Sequence, residues 1–111
     1  MIKFDLGPRK CGKTTRMVEW LRNTPNGVLA VVNMGMREAI ISNFDLKHSE
    51  AKRIITHQQL LRDNWAGRRN NLLKIEDAEM LLIAMTPGWT FAGASMTIAQ
   101  DQFSEAHIIC H

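Results

Sequence analysis

The chain has 111 residues and a net charge of +3, and its 45% hydrophobic content is enough for one core, so a single domain over residues 1–111 is expected. Seven glycines, three prolines and a mixed pattern exclude collagen, coiled coil and disorder. No membrane-spanning helix is expected, the N-terminal MIKFDLGPRK lacks the apolar run of a secretory signal, and Cys11 and Cys110 give neither a disulfide framework nor a metal-site spacing, which fits a reducing cytoplasm.

Residues 2–6 alternate apolar and charged side chains and predict a short strand before a glycine-rich turn. Lys13–Asn23 predicts a helix facing inward through Met17, Val18 and Leu21, with Trp20 beside them. Thr24-Pro25-Asn26-Gly27 stops it. The run 28–32, VLAVV, predicts a strand covered on both faces. A helix over 37–44 should pack through Ala39, Ile40 and Phe44. Ile54–Thr56 is a short strand candidate, and 57–65 reads as a helix with Leu60, Leu61 and Trp65 inward. Gly67 ends that helix, and Arg68-Arg69-Asn70 forms a polar turn. Leu72–Ile75 is the next strand, ending in Glu76 and Asp77. A helix over 78–85 stops at Thr86-Pro87-Gly88, and 95–99 and 106–110 are the last strand candidates. Strands alternating with helices predict a three-layer α/β/α sandwich around a mainly parallel sheet.

Gly7-Pro8-Arg9-Lys10-Cys11-Gly12-Lys13-Thr14-Thr15 fits G-x-x-x-x-G-K-[ST] in full. Gly7 and Gly12 permit backbone angles that other residues avoid. Successive N–H groups in such a loop turn inward on phosphate oxygens, and the helix that follows adds its positive end. Lys13 would reach the β- and γ-phosphates of a nucleoside triphosphate. The Thr14 hydroxyl would be a Mg²⁺ ligand, with Thr15 assisting or capping the first turn. A phosphate loop also needs an apolar strand that ends in an acid. Leu72-Leu73-Lys74-Ile75-Glu76-Asp77 is the one good candidate. Glu76 would hold Mg²⁺ through water and Asp77 would orient or deprotonate the attacking water, with Glu79 a further acid one step on. The two acids stand in reverse of the usual Asp–Glu order, and Lys74 keeps one face of the strand from being fully apolar.

With these residues the chain resembles the P-loop NTPases, in particular the additional-strand class of helicases, RecA-like proteins and viral DNA-packaging motors. Arg9 to Thr15 looks like the R-x-x-G-K-T-T loop of large terminase ATPases, in which an arginine acts on the γ-phosphate in cis; Arg9 holds the matching place. Gly67-Arg68-Arg69 and the strand leading to Glu76-Asp77-Ala78-Glu79 also look like the approach to the acidic motif of phage-type ATPases. The resemblance implies a minimal P-loop NTPase core with 95–99 as the strand between the loop strand and the acidic strand. It implies ATP and Mg²⁺ as cofactors, DNA or RNA as substrate, and a cytoplasmic location, the host's if the source is viral. The chain has no room for the nuclease domain of large terminases, and it is short for the class, so it looks like a stripped core for which a second copy or a partner protein would supply missing parts.

Eight of the 14 basic residues are arginines, suited to bidentate phosphate contacts, and Arg62, Arg68 and Arg69 are candidates for a finger acting in trans or a phosphate-tracking patch. The plainer expectation for them is a solvated helix end. Thr97 and Gln100 are candidate γ-phosphate sensors. His48, His57, His107 and His111 lack metal-ligand spacing, so surface or capping roles are expected. Trp65 and Trp89 are assigned to core or lid packing ahead of base stacking. Two other functions remain open. The G-P-x-x-x-G-K-T-T opening also resembles thymidine kinases, although their cysteine zinc site is missing, and the reversed acids would suit a module that binds nucleotide without turnover.

Overall fold

A computed structural model describes residues 12–62 and 71–95 with their side chains, and the backbone of 5–6 and 107–108. Among the described residues, ten elements follow one another: β1 (Asp5–Leu6), α1 (Lys13–Asn23), β2 (Gly27–Val31), α2 (Met34–Asn43), α3 (His48–Ala51), β3 (Ile54–Thr56), α4 (His57–Arg62), β4 (Leu72–Ile75), α5 (Ala78–Ala84) and β5 (His107–Ile108). β2 lies between β3 and β4 in a three-stranded sheet, while β1 pairs with β5, and every pairing is parallel. The domain is α/β, as the alternation of strands and helices predicts. No helix among the described residues is long and apolar enough to cross a membrane.

β2 is the centre of the core, and all five of its residues are buried. Leu29 and Val31 pack with Met17, Val18 and Leu21 of α1, Ile40 of α2 and Ile54. Val28 and Ala30, which point the other way, pack with Ile55, Leu60 and Ile75. A strand covered on both faces needs this continuous apolar run. Lys74 pairs in register with Leu29, and its ammonium lies 5.6 Å from the centre of the Trp20 ring. The one charged residue inside β4 is therefore held over an aromatic face.

Several expectations are corrected. α2 begins three residues earlier than predicted, because the Asn33 side chain accepts the Met36 N–H at 2.9 Å and caps the helix. Ala39, expected inward, is exposed, and Leu61 is likewise exposed on α4. β2 ends at Val31, one residue short of the predicted strand. α3, four residues long, was not expected. Trp89, expected in core or lid packing, is 80% exposed. Ser95 is not in a strand. The remainder of the 95–99 candidate, Thr97, Gln100, Trp65, Arg68, Arg69 and most of the phosphate loop lie outside the described residues.

Gly27 has a steric reason to be glycine. A Cβ there would sit 2.9 Å from Trp20 Cη2, 3.0 Å from the Thr24 carbonyl oxygen and 3.1 Å from Thr24 Cβ. The tryptophan tip can yield, but the turn backbone cannot. Gly27→Ala is expected to cost about 1–2 kcal/mol, within the usual range for overpacking. Urea unfolding would read this as a lower midpoint, and an unchanged midpoint would contradict the close approach.

Candidate functional site

The C-terminal ends of three parallel strands share one edge of the sheet, the edge where open α/β sheets bind ligands. α1 brings its first residues to the same edge. It has 11 residues and so is about 16 Å long. β2 is of similar length, about 17 Å. Only residues 24–26 join them, so helix and strand run antiparallel. The start of α1, with Lys13 and Thr14, thus lies at the end of the sheet where β2 finishes.

Gly12 is the N-cap of α1, with φ 89° and ψ 7°. This is the left-handed region that glycine enters freely. A Cβ at Gly12 would meet nothing within 4 Å, so the requirement is conformational and not steric. The Arg16 N–H donates to the Gly12 carbonyl at 3.1 Å, which closes the first turn. No acidic residue occupies that turn, and no side chain caps it. Lys13 and Thr14 are half-buried, and Thr15 is exposed. Gly7, Pro8, Arg9, Lys10 and Cys11 lie outside the described residues.

Glu76 follows β4 and is 8% exposed. Its N–H donates to Ala30 at 2.8 Å, and its Oε1 accepts the Val32 N–H at 3.1 Å. The carboxylate thereby satisfies a backbone donor just beyond the end of β2. Burial pushes the Glu76 carboxyl above its usual 4.5 and the Asp77 charge adds to the rise, while the Val32 hydrogen bond pulls it back. A carboxyl raised in the folded state binds protons there in preference to the unfolded chain. Stability from this group is greatest below pH 4.5 and falls as pH rises through the elevated titration. Glu76→Gln keeps an acceptor for Val32 and removes the buried charge. It is expected to match or exceed the parent in stability at pH 7, with the difference vanishing at acid pH. Urea midpoints across pH 4–7.5 would measure this, and a variant less stable than the parent at neutral pH would refute the sign.

Asp77 differs from Glu76. It is exposed and sits at the N-cap of α5 with φ 50° and ψ 66°, and its side chain makes no capping hydrogen bond. The left-handed conformation costs a non-glycine residue roughly 1–2 kcal/mol. The preceding peptide is held from the other side. The Glu76 carbonyl accepts the Nε2–H of His57 at 2.7 Å. Such a bond contributes about 1 kcal/mol, and leaving a buried carbonyl unpaired costs about 1–3 kcal/mol, so it can offset the strain. Because a carbonyl only accepts, the proton must be on Nε2.

His57 is 3% exposed, which corrects the expected surface role. Its position comes from a reciprocal cap. The Gln59 N–H donates to Thr56 Oγ1 at 3.1 Å, and the Thr56 N–H donates to Gln59 Oε1 at 2.9 Å. This is a capping box, and the sequence Thr56-His57-Gln58-Gln59 carries its signature. β3 and β4 flank β2, so the ring of His57 reaches across the end of the central strand. Beside it a cleft of about 530 Å³ opens, lined by Val32, His57, Arg62 and Met80 among others. Glu79 is exposed in the first turn of α5. No group of three metal-binding side chains occurs among the described residues.

Compared with known proteins, the chain matches no family model, no curated sequence and no solved structure.

Proposed function

We propose that the chain is a Mg²⁺-dependent ATP-binding protein of the P-loop type that hydrolyses ATP and acts on nucleic acid as a small motor core. One observation carries the reading. The G-x-x-x-x-G-K-T run leads into a helix whose cap glycine is left-handed, and that helix starts at the sheet edge holding Glu76 and Asp77. The backbone loop over 7–11 and the α1 N-terminus would hold the phosphates. Lys13 would neutralise the β- and γ-oxygens, and Arg9 would stabilise the transferred charge in cis. The finer architecture, a full three-layer core with a strand between β1 and β4, belongs to this proposal.

The donor set suits Mg²⁺. This ion takes oxygen ligands and is usually held by one or two protein groups together with phosphates and water, not by an all-protein cage. Thr14 at the first turn and the acid turn supply such oxygens. Glu76 already gives one oxygen to Val32, so Asp77 is the freer carboxylate of the two. The ion would offset phosphate charge during transfer.

One observation favours a second reading. The cleft beside His57 adjoins the acid turn and has room for a second substrate. A nucleoside seated there would make the protein a kinase. Purified protein with Mg·ATP, assayed with and without DNA and RNA, tests the first reading, and transfer of labelled phosphate to a nucleoside panel tests the second. Nucleic-acid-stimulated release of phosphate supports the motor. Transfer to a nucleoside supports the kinase, and absence of nucleotide binding ends both.

A further inference from the structure

We infer that His57 is a positioning residue for the acid turn: by holding the Glu76 carbonyl it fixes the direction in which the Asp77 carboxylate leaves the sheet. This rests on the phosphate-binding reading of the same site.

Two acids sit side by side, and their restraints differ. The Glu76 side chain is fixed by its own hydrogen bond to Val32. The Asp77 side chain has no cap bond, so its direction depends on the backbone that carries it. That backbone is set by the plane of the Glu76–Asp77 peptide. The Glu76 N–H is bonded to Ala30 on one side of the residue, and the carbonyl is bonded to His57 Nε2 on the other. With both in place Asp77 takes φ 50°. Without the imidazole donor, the peptide is free to rotate toward negative φ, which aspartate prefers. The carboxylate would then leave the turn in another direction. A histidine serving only to fill space would need no proton on Nε2.

Three measurements test the inference. Nitrogen-15 NMR of histidine-labelled protein should show His57 as the Nε2–H tautomer, and backbone carbon shifts should report positive φ at Asp77. His57→Phe keeps the ring and removes the donor. It should lower kcat for ATP about tenfold or more, as misplaced catalytic groups do, while the KM for Mg·ATP stays within about twofold. His57→Gln returns an N–H near the Nε2 position and should recover most of the lost rate. An Nδ1–H tautomer, a full rate in His57→Phe, or a glutamine variant no better than phenylalanine would overturn the inference. If His57→Phe does not fold, the tautomer and the glutamine variant still decide. If the parent protein binds no nucleotide, the phosphate reading fails and the role for Asp77 falls with it. The tautomer and backbone shifts would then still report on the clamp.

Discussion

Lys13→Ala is expected to weaken Mg·ATP binding about a hundredfold or more and to remove measurable turnover. The magnitude follows from the environment of the ammonium. It would lie against phosphate oxygens at a helix N-terminus, where truncating one partner of a desolvated charge pair costs about 2–5 kcal/mol. Each 1.4 kcal/mol or so is a factor of ten in affinity. The fold makes the result readable. α1 buries Met17, Val18 and Leu21, while Lys13 is only half-buried at its first position. Alanine is also a better helix former than lysine, so helix propensity does not work against the variant. Isothermal titration with Mg·ATP and a urea unfolding curve on the same preparation separate the two effects. Equal affinities for variant and parent would end the P-loop proposal. A large fall in stability would instead mean that Lys13 supports the fold.

The site divides its labour between rigid and adjustable parts. α1 is locked by its apolar stripe and β2 by burial on both faces, so Gly12 and the first turn of α1 stand on a fixed frame. The acids stand on a turn whose geometry depends on a few hydrogen bonds to neighbouring elements. Burial disfavours the charged form of the Glu76 carboxyl, and Glu76→Gln would remove that charge. Stability and placement of the acid turn are thus in tension, as is common where a site keeps an unfavourable group in place.

Local patterns in the sequence carry much of this. α1, β3 and β4 have the predicted bounds because each is marked by strong apolar spacing or by a clear stop signal. The left-handed cap at Gly12 agrees with the expectation that a glycine there takes angles other residues avoid. α3 is not legible in the sequence because four residues are too few to show a helical period, and at its start Glu50 accepts the Lys47 N–H at 2.9 Å. The burial of His57 is illegible for a different reason. It depends on two parallel strands lying on either side of β2, a pairing that no local pattern encodes. The capping signature at Thr56–Gln59 was available and would have marked the start of α4, though not the reach of the ring. The exposure of Leu72 and Leu73 was equally illegible, since an apolar strand reads the same at the edge of a sheet as at its centre.

Arg53→Ala is expected to be the most destabilising single substitution considered, lowering stability by about 2–4 kcal/mol. Composition alone would assign Arg53 to the solvated surface, where such a change costs under about 0.5 kcal/mol. The structure gives it a different task. Nη1 donates to the carbonyls of Leu21 at 3.0 Å, Thr24 at 2.8 Å and Gly27 at 3.0 Å, and Nε donates to Ser49 at 3.3 Å. The first two carbonyls belong to the C-terminal end of α1, where the last oxygens lack helical partners and the dipole favours a cation. The third belongs to the first residue of β2. One guanidinium therefore joins the end of α1 to the start of β2 and ties both to the segment entering β3. Hydrogen bonds to a charged donor are worth about 1.5–3 kcal/mol each when removed singly, and sharing one nitrogen among three acceptors keeps the total below their sum. Lysine would keep the charge but lose the planar fork, so Arg53→Lys should recover less than half of the loss. In guanidinium or urea the alanine variant should unfold at a lower midpoint with an unchanged slope, and its Tm should fall by about 10–20 °C. Because this junction lies at the end of α1 away from Lys13, the folded fraction of Arg53→Ala should bind Mg·ATP with parental affinity. A variant as stable as the parent would mean that water satisfies the three carbonyls as well as the arginine does.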